Sequence, residues 1–216
     1  MMGGAGRIGR ALLRSRIRLF VVVWIGACVA AGCASPRENL YTLESTAGEA
    51  VKVAPAAAAP AVAVPTVVVG PVSIPQLVDR PQLVIHTGPS HVDIAEQERW
   101  AVPLKESLPR MLAGELGRLV PTVRFVEYSS AAINAPSARL LIEIRQFDVQ
   151  AGSGATVDAH WIYRPSASGT PVTEGDTAIH EPITGAGYES YVNSLRRACV
   201  GLAGRLAEYL SGQPSE

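Results

Sequence analysis

The chain has 216 residues, with 19 Lys plus Arg balanced by 19 Asp plus Glu. The balance is uneven along its length: residues 1–32 carry Arg7, Arg10, Arg14, Arg16 and Arg18 and no acid, so the remainder holds 14 basic and 19 acidic side chains, a formal charge of −5. A mildly acidic body without clustered Lys and Arg argues against nucleic acid as a partner, because phosphate binding needs such clusters.

The five arginines precede an apolar run from Leu19 to Ala31 that closes in Ala30-Ala31-Gly32-Cys33. As a helix, that run rises only about 20 Å, against roughly 30 Å of hydrocarbon, so a secretory signal over residues 1–32 fits better than a membrane span. Small residues before the cysteine give a peptidase close access to the backbone, and Cys33 supplies the thiol to be lipidated. Gly26-Ala27-Cys28 forms a second box, but using it would shorten the apolar core to seven residues. Cys28 leaves with the signal and Cys33 is alkylated. Cys199 alone remains, no internal disulfide can form, and stability must come from a packed core.

Residues 33–65 read as a lipidated N-terminus followed by a tether. Asn39 to Leu43 has the composition of a short strand; Glu44 to Pro65 is mostly Ala, Val and Pro, with too little bulky apolar area to order itself. On this reading the tether lets the body stand away from the membrane. A single domain is expected over 66–212. Its strands are Thr66–Val72, Gln82–Thr87 and a third from His91 to Glu96. Leu104, Leu108, Met111, Leu112, Leu116 and Leu119 then repeat at helical spacing between Pro103 and Val120. Pro109 predicts a bend, or a helix starting near Ser107 with that serine as its cap.

Thr122–Tyr128 is a further strand. Leu140, Ile142 and Ile144 alternate with polar neighbours while Phe147 and Val149 fall on the opposite parity, so a bulge near Gln146 is needed to keep one apolar face. A turn at Gly152-Ser153-Gly154 leads into Val157, Ala159, Trp161 and Tyr163 at period two, and a turn over Pro165–Pro171 leads to an edge strand at Thr173–Glu181. Tyr188, Tyr191, Leu195, Cys199, Leu202, Leu206 and Tyr209 mark a final helix that buries Cys199 as a small hydrophobe. The expected fold is α+β, a mixed or mostly antiparallel sheet packed against two amphipathic helices.

Catalytic chemistry is not visible. His86, His91, His160 and His180 lack metal-ligand spacing, and pairs such as His91 with Asp93 or His160 with Asp158 are ordinary on solvated sheets. Gly152-Ser153-Gly154 lacks the glycine frame of a nucleophile elbow, and Gly185-Ala186-Gly187 lacks the spacing and the basic residue of a phosphate loop. The reading is non-enzymatic, without metal or cofactor beyond the covalent lipid at Cys33. Arg99-Trp100 is the most distinctive dipeptide. An indole before the first helix seals one end of the core while Arg99 reaches a carboxylate, and a partner contact is the alternative role for both residues.

Cys33, Tyr41-Thr42-Leu43, Asp79-Arg80-Pro81-Gln82-Leu83-Val84, Arg99-Trp100-Ala101 and the two helices occur in an order and spacing that resembles the ABC-type transport auxiliary lipoproteins. That family includes the outer-membrane lipoprotein of the paraquat-inducible MCE lipid transport system. Ala30 in the box and the long Ala/Pro stretch depart from its compact pattern. The resemblance implies a non-enzymatic adaptor, lipid-anchored on the periplasmic face of the outer membrane. It would work with an MCE-domain protein and, through it, an ABC permease and ATPase. Ala34, rather than Asp, after the lipidated cysteine implies outer-membrane sorting, and homo-oligomer formation is left open. A periplasmic lipid-binding carrier and an envelope-structural lipoprotein are the alternatives.

Overall fold

A computed structural model describes residues 37–44, 65–129, 138–166 and 171–212. The signal segment, Cys33, Ala34, most of the Ala/Pro-rich stretch and part of the Pro165–Pro171 turn lie outside them. Among the described residues, eight strands and two helices follow in order: β1 (Asn39–Tyr41), β2 (Thr66–Ser73), β3 (Gln82–His86), β4 (Val92–Trp100), α1 (Leu104–Leu119), β5 (Arg124–Glu127), β6 (Ala138–Gln150), β7 (Gly154–Arg164), β8 (Thr173–Pro182) and α2 (Gly187–Leu210).

The strands form one mixed sheet around the long β6. One edge of β6 takes β2 in parallel along its first half and meets β3 at a single rung, His86 with Gln150. β5 extends the sheet beyond β2, while β4 and then β1 extend it beyond β3; the other edge of β6 carries β7 and finally β8. Pairing is antiparallel in β3–β4, β6–β7 and β7–β8 and parallel in β1–β4, β2–β5 and β2–β6. The expected α+β class, with a mixed sheet against two helices, is what forms.

The parity change in β6 is resolved by a bulge. Ile144 pairs with Ala159 and Gln146 with Asp158, which leaves Arg145 without a partner in the ladder. Ala138, Leu140, Ile142, Ile144, Phe147 and Val149 thereby share one buried face. On β7, Ala155, Val157 and Ala159 present a row of small buried side chains, against which α2 packs with Leu195, Ala198, Cys199 and Leu202. Burying each such leucine contributes about 1.5–3 kcal/mol. Trp161 closes this row. Its indole N–H donates to Thr177 Oγ1 at 3.1 Å and its ring lies 4.6 Å from that of Tyr209. Gly175 makes room for it: a Cβ there would sit 2.6 Å from Trp161 Cζ2.

Two local expectations are corrected. The helix α1 begins at Leu104, and the amides of Glu106 and Ser107 both donate to the Pro103 carbonyl. Ser107 is therefore buried inside the helix rather than capping it. Pro109 sits in the second turn of a continuous helix, where the carbonyl deprived of its partner belongs to exposed Lys105, which water can solvate. β4 also outruns its expected end at Glu96. A register break between Ala95 and Arg99, opposite adjacent Leu83 and Gln82, carries the strand on to Trp100.

The strand expected at Asn39–Leu43 is present as β1, in register with Glu98, Arg99 and Trp100 of β4. Leu43, just beyond it, is only 1 % exposed. Residues 44–65 thus connect two strands of one sheet, and they do not intervene between Cys33 and the folded body, as the tether reading required.

Candidate functional site

Trp100 and Arg99 separate onto opposite faces of the β4 end. Trp100 is 7 % exposed and meets Phe147 edge-on at 6.5 Å between ring centroids, so its indole belongs to the core. Its amide donates to the Pro81 carbonyl at 2.7 Å, and the next amide, of Ala101, to the Tyr41 carbonyl at 2.8 Å. These two bonds draw the Arg80-Pro81 bend before β3 and β1 onto the same junction. Arg99 stays on the surface, where it forms an ion pair with Glu38.

Beside it Glu98 is the polar hub. Its two carboxylate oxygens accept from Asn39 Nδ2 at 2.8 Å and from the Tyr41 hydroxyl at 2.6 Å. Burial, and then the Glu98 carboxylate, push the Tyr41 phenol up to about 12. The pair therefore holds β1 with a neutral phenol donor.

A groove of about 750 Å³ lies between the helices. Its apolar part comes from Leu43, Met111 and Val200, with Gly114 and Gly201. The two glycines differ. A Cβ on Gly201 would press to 3.0 Å from Ile179 Cγ2, so that glycine lets α2 approach β8, whereas a Cβ on Gly114 would meet nothing within 4 Å.

Four arginines line the groove, and three are committed to carboxylates. Arg110 reaches Glu44 at 3.2 Å and Glu127 at 3.3 Å, Arg118 pairs with Glu115 at 2.6 Å, and Arg197 with Glu181 at 3.3 Å. Hydrogen bonding to Glu44 is the leading reason the Arg110 pKa is raised. Arg196 instead rests on the neutral Asn193 Oδ1 at 3.2 Å. A groove of this chemistry suits an extended segment with an apolar stripe and an acidic group. Sequence reasoning missed it because its walls come from four elements distant in the chain; the glycine at position 114, on an otherwise leucine-rich helix, was its one local signal.

The histidines do not converge. On the sheet face away from the helices, Arg145 at the bulge bridges Asp158 and Asp176, with His160 Nδ1 3.0 Å from Asp176 Oδ1. The hydrogen bond from His160, then Arg145, holds Asp176 below the usual carboxylate range. This is a solvated ion network of the ordinary kind. His86 stands 3.5 Å from Asp148, and no group of three or more ligating side chains is gathered for a metal among the described residues. Cys199 is fully buried, and desolvation pushes its thiol up to about 12, which makes it the packed hydrophobe expected from its helical position.

A mixed sheet is covered by two helices, with a groove between them and polar groups along its walls tied to one another. The sequence pattern of the ABC-type transport auxiliary lipoprotein component matches residues 41–207, and the chain belongs to that family of non-catalytic auxiliary components. The fold is shared with a crystal structure of an uncharacterized protein, at 15 % identity and a TM-score of 0.66, covering 81 % of this chain and 99 % of that one. A Xanthomonas campestris protein is similar at 14 % identity and a TM-score of 0.55, covering 68 % and 83 % respectively. No curated protein matches the chain.

Proposed function

We propose that this protein is a lipid-anchored periplasmic adaptor of an MCE/ABC-type lipid transport system, docking the trans-envelope machinery at the outer membrane. The family match over residues 41–207 carries the reading. In this reading residues 1–32 are a lipoprotein signal, Cys33 bears the acyl chains, and Ala34 directs the protein to the outer membrane. Each buried methylene contributes about 0.8 kcal/mol of anchoring before entropic losses. The energy for transport enters at the ATPase, and this chain supplies position.

The groove between α1 and α2 is the concave face for a partner segment. The deciding experiment is in-cell crosslinking followed by partner identification, with lipid analysis of the purified protein. Recovery of an MCE-domain protein supports the adaptor. Lipid retained without any partner selects the carrier reading, and crosslinks confined to peptidoglycan or unrelated outer-membrane proteins select a structural lipoprotein.

Gly114→Trp sharpens the test, because the new side chain points into open space and replaces a poor helix former. It should leave the melting transition within about 1 kcal/mol of wild type and reduce partner recovery by about tenfold. Unchanged recovery would move the contact off the groove.

A further inference from the structure

The position of β1 sets where the body stands relative to its anchor. Three rungs to β4, the Glu38–Arg99 pair, the two donors onto Glu98, the Ala101–Tyr41 backbone bond and buried Leu43 all fix this segment to the sheet. Five peptide units separate Cys33 from Glu38 and at full extension span roughly 18 Å. A folded body of this chain length is roughly 40 Å across, more than twice that leash. It therefore cannot turn an arbitrary face to the surface that holds its acyl chains.

We infer that the edge of the sheet formed by β1 and β4 is the surface the body turns toward a lipid bilayer. This rests on the reading of Cys33 as lipidated and adds to it an orientation. Leu40, 63 % exposed on β1, is the apolar side chain available to that surface. The edge also carries Glu38, Asp93, Glu96 and Glu98 against Arg37 and Arg99, a net acidic set that offers no basic patch to anionic headgroups. The leash, not charge, brings edge and bilayer together, and the approach does not require anionic lipid. β8 is the opposite extreme, five strand spacings away along the sheet order, roughly 24 Å.

The test uses the full lipidated protein in phosphatidylethanolamine–phosphatidylcholine vesicles containing lipids with a nitroxide on the headgroup. A fluorophore is placed at exposed Gln97 of β4 (Gln97→Cys) or at exposed Glu174 of β8 (Glu174→Cys). Buried Cys199 does not compete for the label. Quenching at 97 should exceed that at 174 by about threefold or more, and a flexible insert of about twelve Gly and Ser residues between Ser35 and Pro36 should bring the two together. Equal quenching at both positions, stronger quenching at 174, or no response to the insert would overturn the orientation. Mass spectrometry of the same sample separates the two readings. An unmodified Cys33 sinks the anchor and the orientation with it, whereas an acylated Cys33 with any of those quenching results sinks the orientation alone.

Discussion

The β6–β7–β8 meander and the short β1 strand belong to one sheet yet are held by different physics. β6 and β7 share eleven register pairs and β7 and β8 ten, over a buried face of Leu140, Ile142, Val157, Ala159 and Trp161. β1 has three, supplemented by charged and phenolic side chains at the surface. Apolar burial ignores pH and salt over wide ranges; contacts made by exposed carboxylates do not. The part of the domain nearest Cys33 is thus its least secure, and the part that shapes the α2 packing surface its most secure.

Trp100→Ala should break the comparison most severely, because Trp100 joins both regions through Phe147 and the β1 register. A loss of about 3–5 kcal/mol in denaturant unfolding is expected. A near wild-type transition would place the indole outside the core.

Gly175→Val attacks the meander alone, forcing a side chain against the Trp161 ring for a cost of about 1–3 kcal/mol. β1 amides should keep their hydrogen-exchange protection relative to the global transition. Preferential loss of protection in β1 would show that the two regions are not separable.

Tyr41→Phe is the mildest change, removing one donor to Glu98 for about 1 kcal/mol, and it should speed exchange of β1 amides while leaving the unfolding midpoint nearly in place. The same contact gives β1 a pH limit. The folded phenol is raised from 10.0 to about 12, so its contribution is complete below about pH 10 and is lost as the pH climbs toward 12. Exchange protection of β1 in wild type should fall across that window. In Tyr41→Phe it should not.

Elements governed by their own periodicity were legible in the sequence. The switch from Leu140-Ile142-Ile144 to Phe147-Val149 required an odd residue, and Arg145 is that residue. The heptad-like spacing through Cys199 fixed both α2 and the burial of its thiol. Parallel pairing of β2 with β5 and β6 was not legible, since a strand's alternation records which face is apolar and says nothing of its neighbour. Nor could composition show that Asn39–Tyr41 pairs with a strand some sixty residues later; three residues carry no period, and the Ala/Pro stretch behind them reads as a boundary. Ser107 has good capping chemistry, but the Pro103 carbonyl already accepts from the first free amides, which starts the helix a turn earlier. The candidate site divides in the same way. Trp100 stood out in the sequence with two roles open, core seal or partner contact, and only its packing on Phe147 places it in the core, while the groove depends on packing between helices separated by four strands.

Because Leu43 and Thr66 are both pinned to the same sheet, the twenty-odd residues between them form a closed excursion whose length is nearly free to change. Doubling it costs only about 0.6 kcal/mol of closure entropy. An epitope or a fluorescent protein spliced in beyond Glu44 should leave both the β1–β4 register and the helix groove intact, giving a handle for following the protein in cells without disturbing the fold.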